Sequence, residues 1–191
     1  MFKLNGKPIR LDQDLVIGEG DEAITIPAAS LLDQATREQY GIVEAPDEPR
    51  PDDRFYWVSD NGDGTYTATP KGVEVLRALK LADIAASRYA LEVGGLTLPD
   101  GAKIKTDRES QSLVASALLR VQRSPALLID WKGENGWVKI DKAAVEAIAD
   151  AVGDHVQACF TAERIKADEL KDVIAAGDFA DIVAFDTAVT L

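Results

Sequence analysis

The chain has 191 residues, enough for one ordinary domain or two small ones. Apolar residues make up 46% and charged residues 28%, a globular balance that excludes wholesale disorder. A formal net charge of −12, from 33 acidic and 21 basic residues, argues against binding nucleic acid by phosphate neutralisation and against adsorption to an anionic membrane.

Cys159 is the only cysteine, so no internal disulfide forms and no oxidising compartment is implied. The opening MFKLNGKPIR lacks the apolar core and cleavage site of a signal peptide. No run reaches the roughly 18 apolar residues of a membrane helix. The expectation is a chain made and kept in a soluble compartment.

In chain order, residues 2–26 read as short strands with tight turns. Asn5-Gly6 lies between Phe2-Lys3-Leu4 and Pro8-Ile9-Arg10-Leu11 and signals a two-residue hairpin, because Asn and Gly tolerate positive φ. Leu15–Ile17 and Ala23–Ile26 flank Gly18-Glu19-Gly20-Asp21, which predicts a second hairpin. A short helix is expected near Thr36–Tyr40, with Thr36 as N-cap and Gly41 as stop. Residues 44–53, EAPDEPRPDD, suit neither a helix interior nor a central strand and read as an extended linker and candidate boundary.

Residues 54–69 predict a hairpin turning at Asp60-Asn61-Gly62-Asp63-Gly64. A calcium loop would need oxygens at positions 3 and 5 and an acid at position 12; glycines and Lys71 stand there, so turn chemistry explains the composition. Residues 71–93 carry apolar positions at helical spacing and are stopped by Gly94-Gly95. A hairpin follows around Pro99-Asp100-Gly101. Thr106 and Asp107 then offer N-cap oxygens to a helix running to about Gln122. Ala126–Asp130 and Trp137–Ile140 form another hairpin around Gly133-Glu134-Asn135-Gly136.

Asp141 caps the last helix, whose apolar residues Val145, Ile148, Val152, Val156 and Cys159 recur at period 3.6 and resume at Leu170, Val173 and Ile174. At up to ~35 residues, or ~50 Å, it must pack on something, either residues 71–93 or its copy in another subunit. The tail DFADIVAFDTAVTL is acidic yet apolar enough to dock on a partner as a strand or short turn. The pattern as a whole predicts an α+β fold: a β-rich docking module at 1–43, the linker at 44–53, a hairpin and connecting helix at 54–93, a hairpin–helix–hairpin–helix module at 94–177, and the tail at 178–191.

The chemistry-bearing residues are few. His155 is the sole histidine and lies four residues before Cys159, a spacing that could hold part of a zinc site, but no other His or Cys completes four ligands. The expectation is a half-buried histidine beside a core thiol, with no metal and no cofactor. No nucleophile, phosphate-loop or dinucleotide motif is present, so an enzyme is not expected. Trp131 and Trp137 flank the second hairpin's turn and could touch across it. Either they cap the hairpin and core, or they form a partner-binding pair at an exposed tip. Arg108 has two readings as well: pairing with a nearby acid at the helix start, or receiving a partner's carboxylate. Trp57 is the remaining candidate contact residue.

Residues 94–95 (GG), 104–111 (IKTDRESQ), 129–132 (IDWK), 136–137 (GW) and 154–160 (DHVQACF) resemble, in order, a domain of unknown function from tailed-bacteriophage tail-fibre and tail-associated proteins. The resemblance spans about residues 88–176, and LNGKPIRL with the junction at 49–58 looks like the leader that precedes that domain. It carries over no catalytic residue. What it implies is a setting: a structural component of a phage tail that binds other tail proteins as a homo-oligomer, with a trimer favoured, made in the bacterial cytoplasm and residing in the virion. The alternative it leaves is a tail-fibre assembly chaperone that is absent from the finished particle.

Overall fold

The computed structural model describes residues 1–18, 20, 23–26, 29–133 and 136–191. The turns expected at Glu19 and Asp21 and at Glu134-Asn135 fall outside the described residues. The fold is α+β and divides into two units, Met1–Gly72 and Val73–Leu191.

In the first unit, β1 (Phe2–Leu4) pairs antiparallel with β2 (Lys7–Ile9) through Asn5-Gly6. Both turn residues hold positive φ, 52° and 80°, as a two-residue hairpin requires. On its other edge β1 pairs with β5 (Ile42–Glu44), setting Leu4 against Ile42. A second hairpin joins β3 (Leu15–Ile17) to β4 (Ile24–Ile26), and a third joins β6 (Tyr56–Asp60) to β7 (Tyr66–Pro70). Buried Ile26, Ala29 and Ile42 form the core, with Phe2, Leu4, Ile9, Leu15 and Tyr40 packed on them.

Two expectations for this unit are corrected. The short helix α1 (Gln34–Gln39) is capped by Asp33, whose carboxylate accepts the Thr36 N–H at 2.8 Å; Thr36 is the helix's third residue, not its N-cap. Residues 44–53 are not a boundary. Ala45 N–H donates to the Met1 carbonyl at 2.9 Å and Glu48 N–H to the Gly64 carbonyl at 3.0 Å, so the proline-rich run is strapped across its own unit. Prolines that cannot enter a sheet still leave their neighbours' N–H groups available for such single bonds.

The second unit is built on α4 (Lys142–Ala176), 35 residues long. Its first half carries Ile148 and Val152 into a cluster with Val114 and Ile104. Val114 belongs to α3 (Arg108–Arg123), and Ile104 to β9 (Lys103–Ile104), which pairs with β8 (Leu96–Thr97). Its second half carries Leu170 into a cluster with Val189 and with Ile84 of α2 (Val73–Val93). One helix thus ties together two cores, because its apolar stripe runs nearly its whole length. The helix ends where Gly177 takes φ of 82° and donates to the Ile174 carbonyl. Among the described residues no helix is long and apolar enough to cross a membrane.

Asp141 accepts the Ala144 N–H at 2.9 Å and caps α4. Replacing it with Ala is expected to cost about 1 kcal/mol. Urea unfolding followed by helical circular dichroism checks this, and an unchanged midpoint would contradict the cap's role.

The tail is the third correction. It does not wait for a partner. After α5 (Phe179–Ala184), Ile182 and Val189 are buried against their own unit. Lys80, itself buried, donates from Nζ to the carbonyls of Val183 at 2.6 Å and Phe185 at 2.9 Å. Ser87 Oγ accepts the Val189 N–H at 2.9 Å. An apolar segment with matched polar anchors on α2 has no reason to remain undocked.

Candidate protein-binding site

The residues that carry the sequence signature fall into two groups with different roles. Thr106, Arg108 and Gln111 gather at the end of α2, whereas Lys105, Glu109, Asp130, Lys132, Asp154 and Gln157 are exposed. Glu92, in the last turn of α2, has no solvent exposure. One of its oxygens pairs with Arg88 one turn earlier, and the other pairs with Arg108 at 3.0 Å and lies 3.3 Å from Gln111 Nε2. Arg88 reaches on to Glu163 of α4 at 3.0 Å and lies over the Phe160 ring at 4.5 Å. A buried carboxylate is costly unless paired and hydrogen-bonded, and here two guanidinium groups and an amide satisfy it. The Arg108 guanidinium, a candidate for a partner's carboxylate, is therefore taken by Glu92 of its own chain.

Thr106 is also corrected. Its side chain does not cap α3. It is fully buried and accepts the Gly95 N–H at 2.9 Å, while its carbonyl accepts from Gln111 at 2.8 Å. The cap belongs to Asp107, whose carboxylate accepts the Ser110 N–H at 2.9 Å and the Ser110 hydroxyl at 2.8 Å. Those two bonds hold the Asp107 carboxyl below the usual carboxylate range. Gly95 takes φ of 88°, and a Cβ there would sit 3.1 Å from the Ile104 carbonyl oxygen, so the turn that aims its N–H at Thr106 favours glycine.

His155 Nε2 donates to the Leu91 carbonyl at 3.1 Å, since a carbonyl can only accept, and Cys159 Sγ lies 3.8 Å from the same nitrogen. Burial, then the charge of Glu92, pushes the Cys159 thiol up. Cys159 is expected to resist thiol-exchange reagents in the native protein and to react once unfolded. Timed labelling with and without denaturant checks this, and fast native labelling would contradict it. Among the described residues no group of three or more His, Cys, Asp or Glu side chains could hold a metal ion. The Asp60 and Asp63 carboxylates close the β6–β7 turn, accepting from Gly62 N–H at 2.7 Å and Thr65 N–H at 2.9 Å.

Of the apolar signature residues, Cys159 is buried and Val156 packs on the core, whereas Trp137 faces outward and Ile104, Ile129 and Trp131 line a groove. β10 (Ile129–Gly133) pairs with β11 (Gly136–Ile140) so that Trp131 opposes Val138 and Lys132 opposes Trp137. Trp131 and Trp137 therefore lie on opposite faces of the hairpin and do not meet across it. Trp131 packs on the Ile104–Ile148 core. Trp137 is 70% exposed, with Lys132 Nζ 5.7 Å from its ring. A groove of about 680 Å³ runs between α3 and β10 and reaches both tryptophans. Trp57, in the first unit, is 63% exposed on β6 beneath Lys71 Nζ at 4.6 Å.

Sequence reading missed Glu92, the residue around which the polar signature assembles, together with Arg88 and Glu163. The signal was present: Leu76, Lys80, Ile84, Arg88 and Glu92 recur every four residues on the inner stripe of α2. Charges at three of those five positions mark buried polar contacts.

Among its described residues the second unit is an α+β assembly of three long helices and two hairpins, held by a buried ion-pair network and displaying an aromatic hairpin beside a groove. The chain belongs to the family described as Domain of unknown function (DUF4376), which matches residues 75–188, nearly all of that unit. Comparison with curated proteins gives no match, and comparison with solved structures gives none.

Proposed function

We propose that the chain is a structural component of a bacteriophage tail, a fibre, fibre-attachment or tail-tip protein, acting through contacts with other tail proteins. The setting rests on the ordered resemblance over residues 88–176. The observation that carries the mode of action is the division of labour among the signature residues. Thr106, Arg108 and Gln111 are engaged within the chain, whereas Trp137 stands exposed at a hairpin tip beside a groove. Large aromatic side chains in contact positions are enriched at the energetic centres of protein interfaces. In this reading the chain works without catalysis, as a homo-oligomer with a trimer favoured, and resides in the virion tail after synthesis in the bacterial cytoplasm. The docked tail removes the apolar acidic segment that would have favoured a chaperone.

Mass-spectrometric quantification of the chain in purified particles, against a known tail protein, tests the reading. A small fixed copy number, such as three, six or twelve per tail, is expected. Abundance in infected cells with absence from particles would overturn it in favour of the assembly chaperone.

A further inference from the structure

We infer that the groove between α3 and β10 binds an extended, acidic segment of a partner protein as an added β-strand. The inference rests on the reading of the chain as a protein-contact component and specifies its ligand chemistry.

The first ground is the strand edge. Among the described residues β10 pairs with β11 alone. Gly133 faces Gly136 across a two-residue connection, which makes them a mutually hydrogen-bonded pair. Alternation along an antiparallel ladder then makes Trp131–Val138 and Ile129–Ile140 bonded pairs as well. The N–H and C=O groups of Lys132 and Asp130 consequently point away from β11. All five β10 residues line the groove, so this edge forms one wall of it. An edge five residues long spans ~17 Å, the length over which peptide strands add to sheets.

The second ground is the opposite wall. Ile104, Leu113 and Ala117 face the groove. Leu113 is 59% exposed although it stands on the helix that contributes Val114 and Val121 to the interior. An added strand would lay alternate side chains on this apolar surface.

The third ground is charge. The chain carries −12, yet Lys103, Lys105 and Lys132 line the groove. The single carboxylate among its described lining residues, Asp130, is paired with Lys139 at 3.0 Å. The local sign is opposite to that of the whole molecule, which selects an acidic partner and disfavours a second copy's basic segments. Lysines on an edge also blunt unwanted strand pairing, and that use predicts no binding at all.

The test uses the full chain and a fluorescently labelled seven-residue peptide of alternating Val and Glu, read by anisotropy. Three results are expected. The peptide binds saturably. Its Lys counterpart binds at least tenfold more weakly, as does the Glu peptide to the Lys105→Glu/Lys132→Glu variant. A Glu peptide N-methylated at every backbone nitrogen, which keeps charge and side chains but can donate no hydrogen bond along either edge, loses at least tenfold. Absence of saturable binding would overturn the inference and leave the lysines as edge guards. Equal binding of the methylated peptide would overturn strand addition. Either failure, in a chain still found at fixed copy number in particles, leaves the tail-component reading standing.

Discussion

Glu92→Ala is expected to destabilise the second unit by about 3 kcal/mol, the low end of the range for breaking a buried ion pair by removing one partner, since Arg88 keeps Glu163. Arg88 carries most of that effect, because its side chain is only 13% exposed and loses one of its two carboxylate partners. Arg108, 61% exposed, can turn to water and contributes little, as exposed pairs do. Gln111 loses its contact to the carboxylate but keeps the Thr106 carbonyl. Amide hydrogen exchange in α4 reads the loss within the second unit alone, which matters because a chain of two units need not unfold in one step. The companion variant Arg88→Met/Glu92→Leu removes the pair together and is expected to recover most of the stability, since Glu163 is partly exposed and can be hydrated. Equal stability of Glu92→Ala and the parent would show that the network does not hold the helices.

Leu170→Ala is expected to cost about 3 kcal/mol, within the range for deleting a buried leucine side chain where the surroundings collapse only partly. Leu170 is 1% exposed and packs with Ile84 and Val189, so the cavity opens between α2, α4 and the final residues. Faster exchange at the Val189 amide, which the Ser87 hydroxyl holds, should accompany the loss. A drop below about 1 kcal/mol would mean that this cluster repacks, and that the tail's docking rests on Lys80 rather than on apolar burial.

What the sequence made legible was local. Asn5-Gly6, the caps at Asp107 and Asp141, the Gly177 stop and the long stripe of α4 each depend on residues within one or two turns, and each produces the element expected of it. What it hid was non-local. The strap at 44–53 is held by residues near 1 and 64, and the tail by residues near 80 and 87, more than ninety positions earlier. Thr106 looked like a cap because hydroxyls cap helices; its actual partner, Gly95, becomes visible only when β8 and β9 are paired. The faces of Trp131 and Trp137 follow from a register that a two-residue connection fixes. Counting outward from Gly133 and Gly136 sets Lys132, not Trp131, opposite Trp137. Glu92 was the costliest omission, since a charge on an apolar stripe reads as a boundary of the stripe until the cations that satisfy it are placed.

The separation of roles, the buried Glu92 network for stability and the displayed hairpin for contact, is tested most directly at Trp137. Trp137→Ala should leave the thermal midpoint of the purified chain within about 1 °C of the parent, because a side chain 70% exposed removes little buried area. The same variant, expressed from the producing phage in place of the parent, should fall at least severalfold in copy number per purified tail. Normal incorporation with an unchanged midpoint would contradict the assignment of this hairpin as the contact surface.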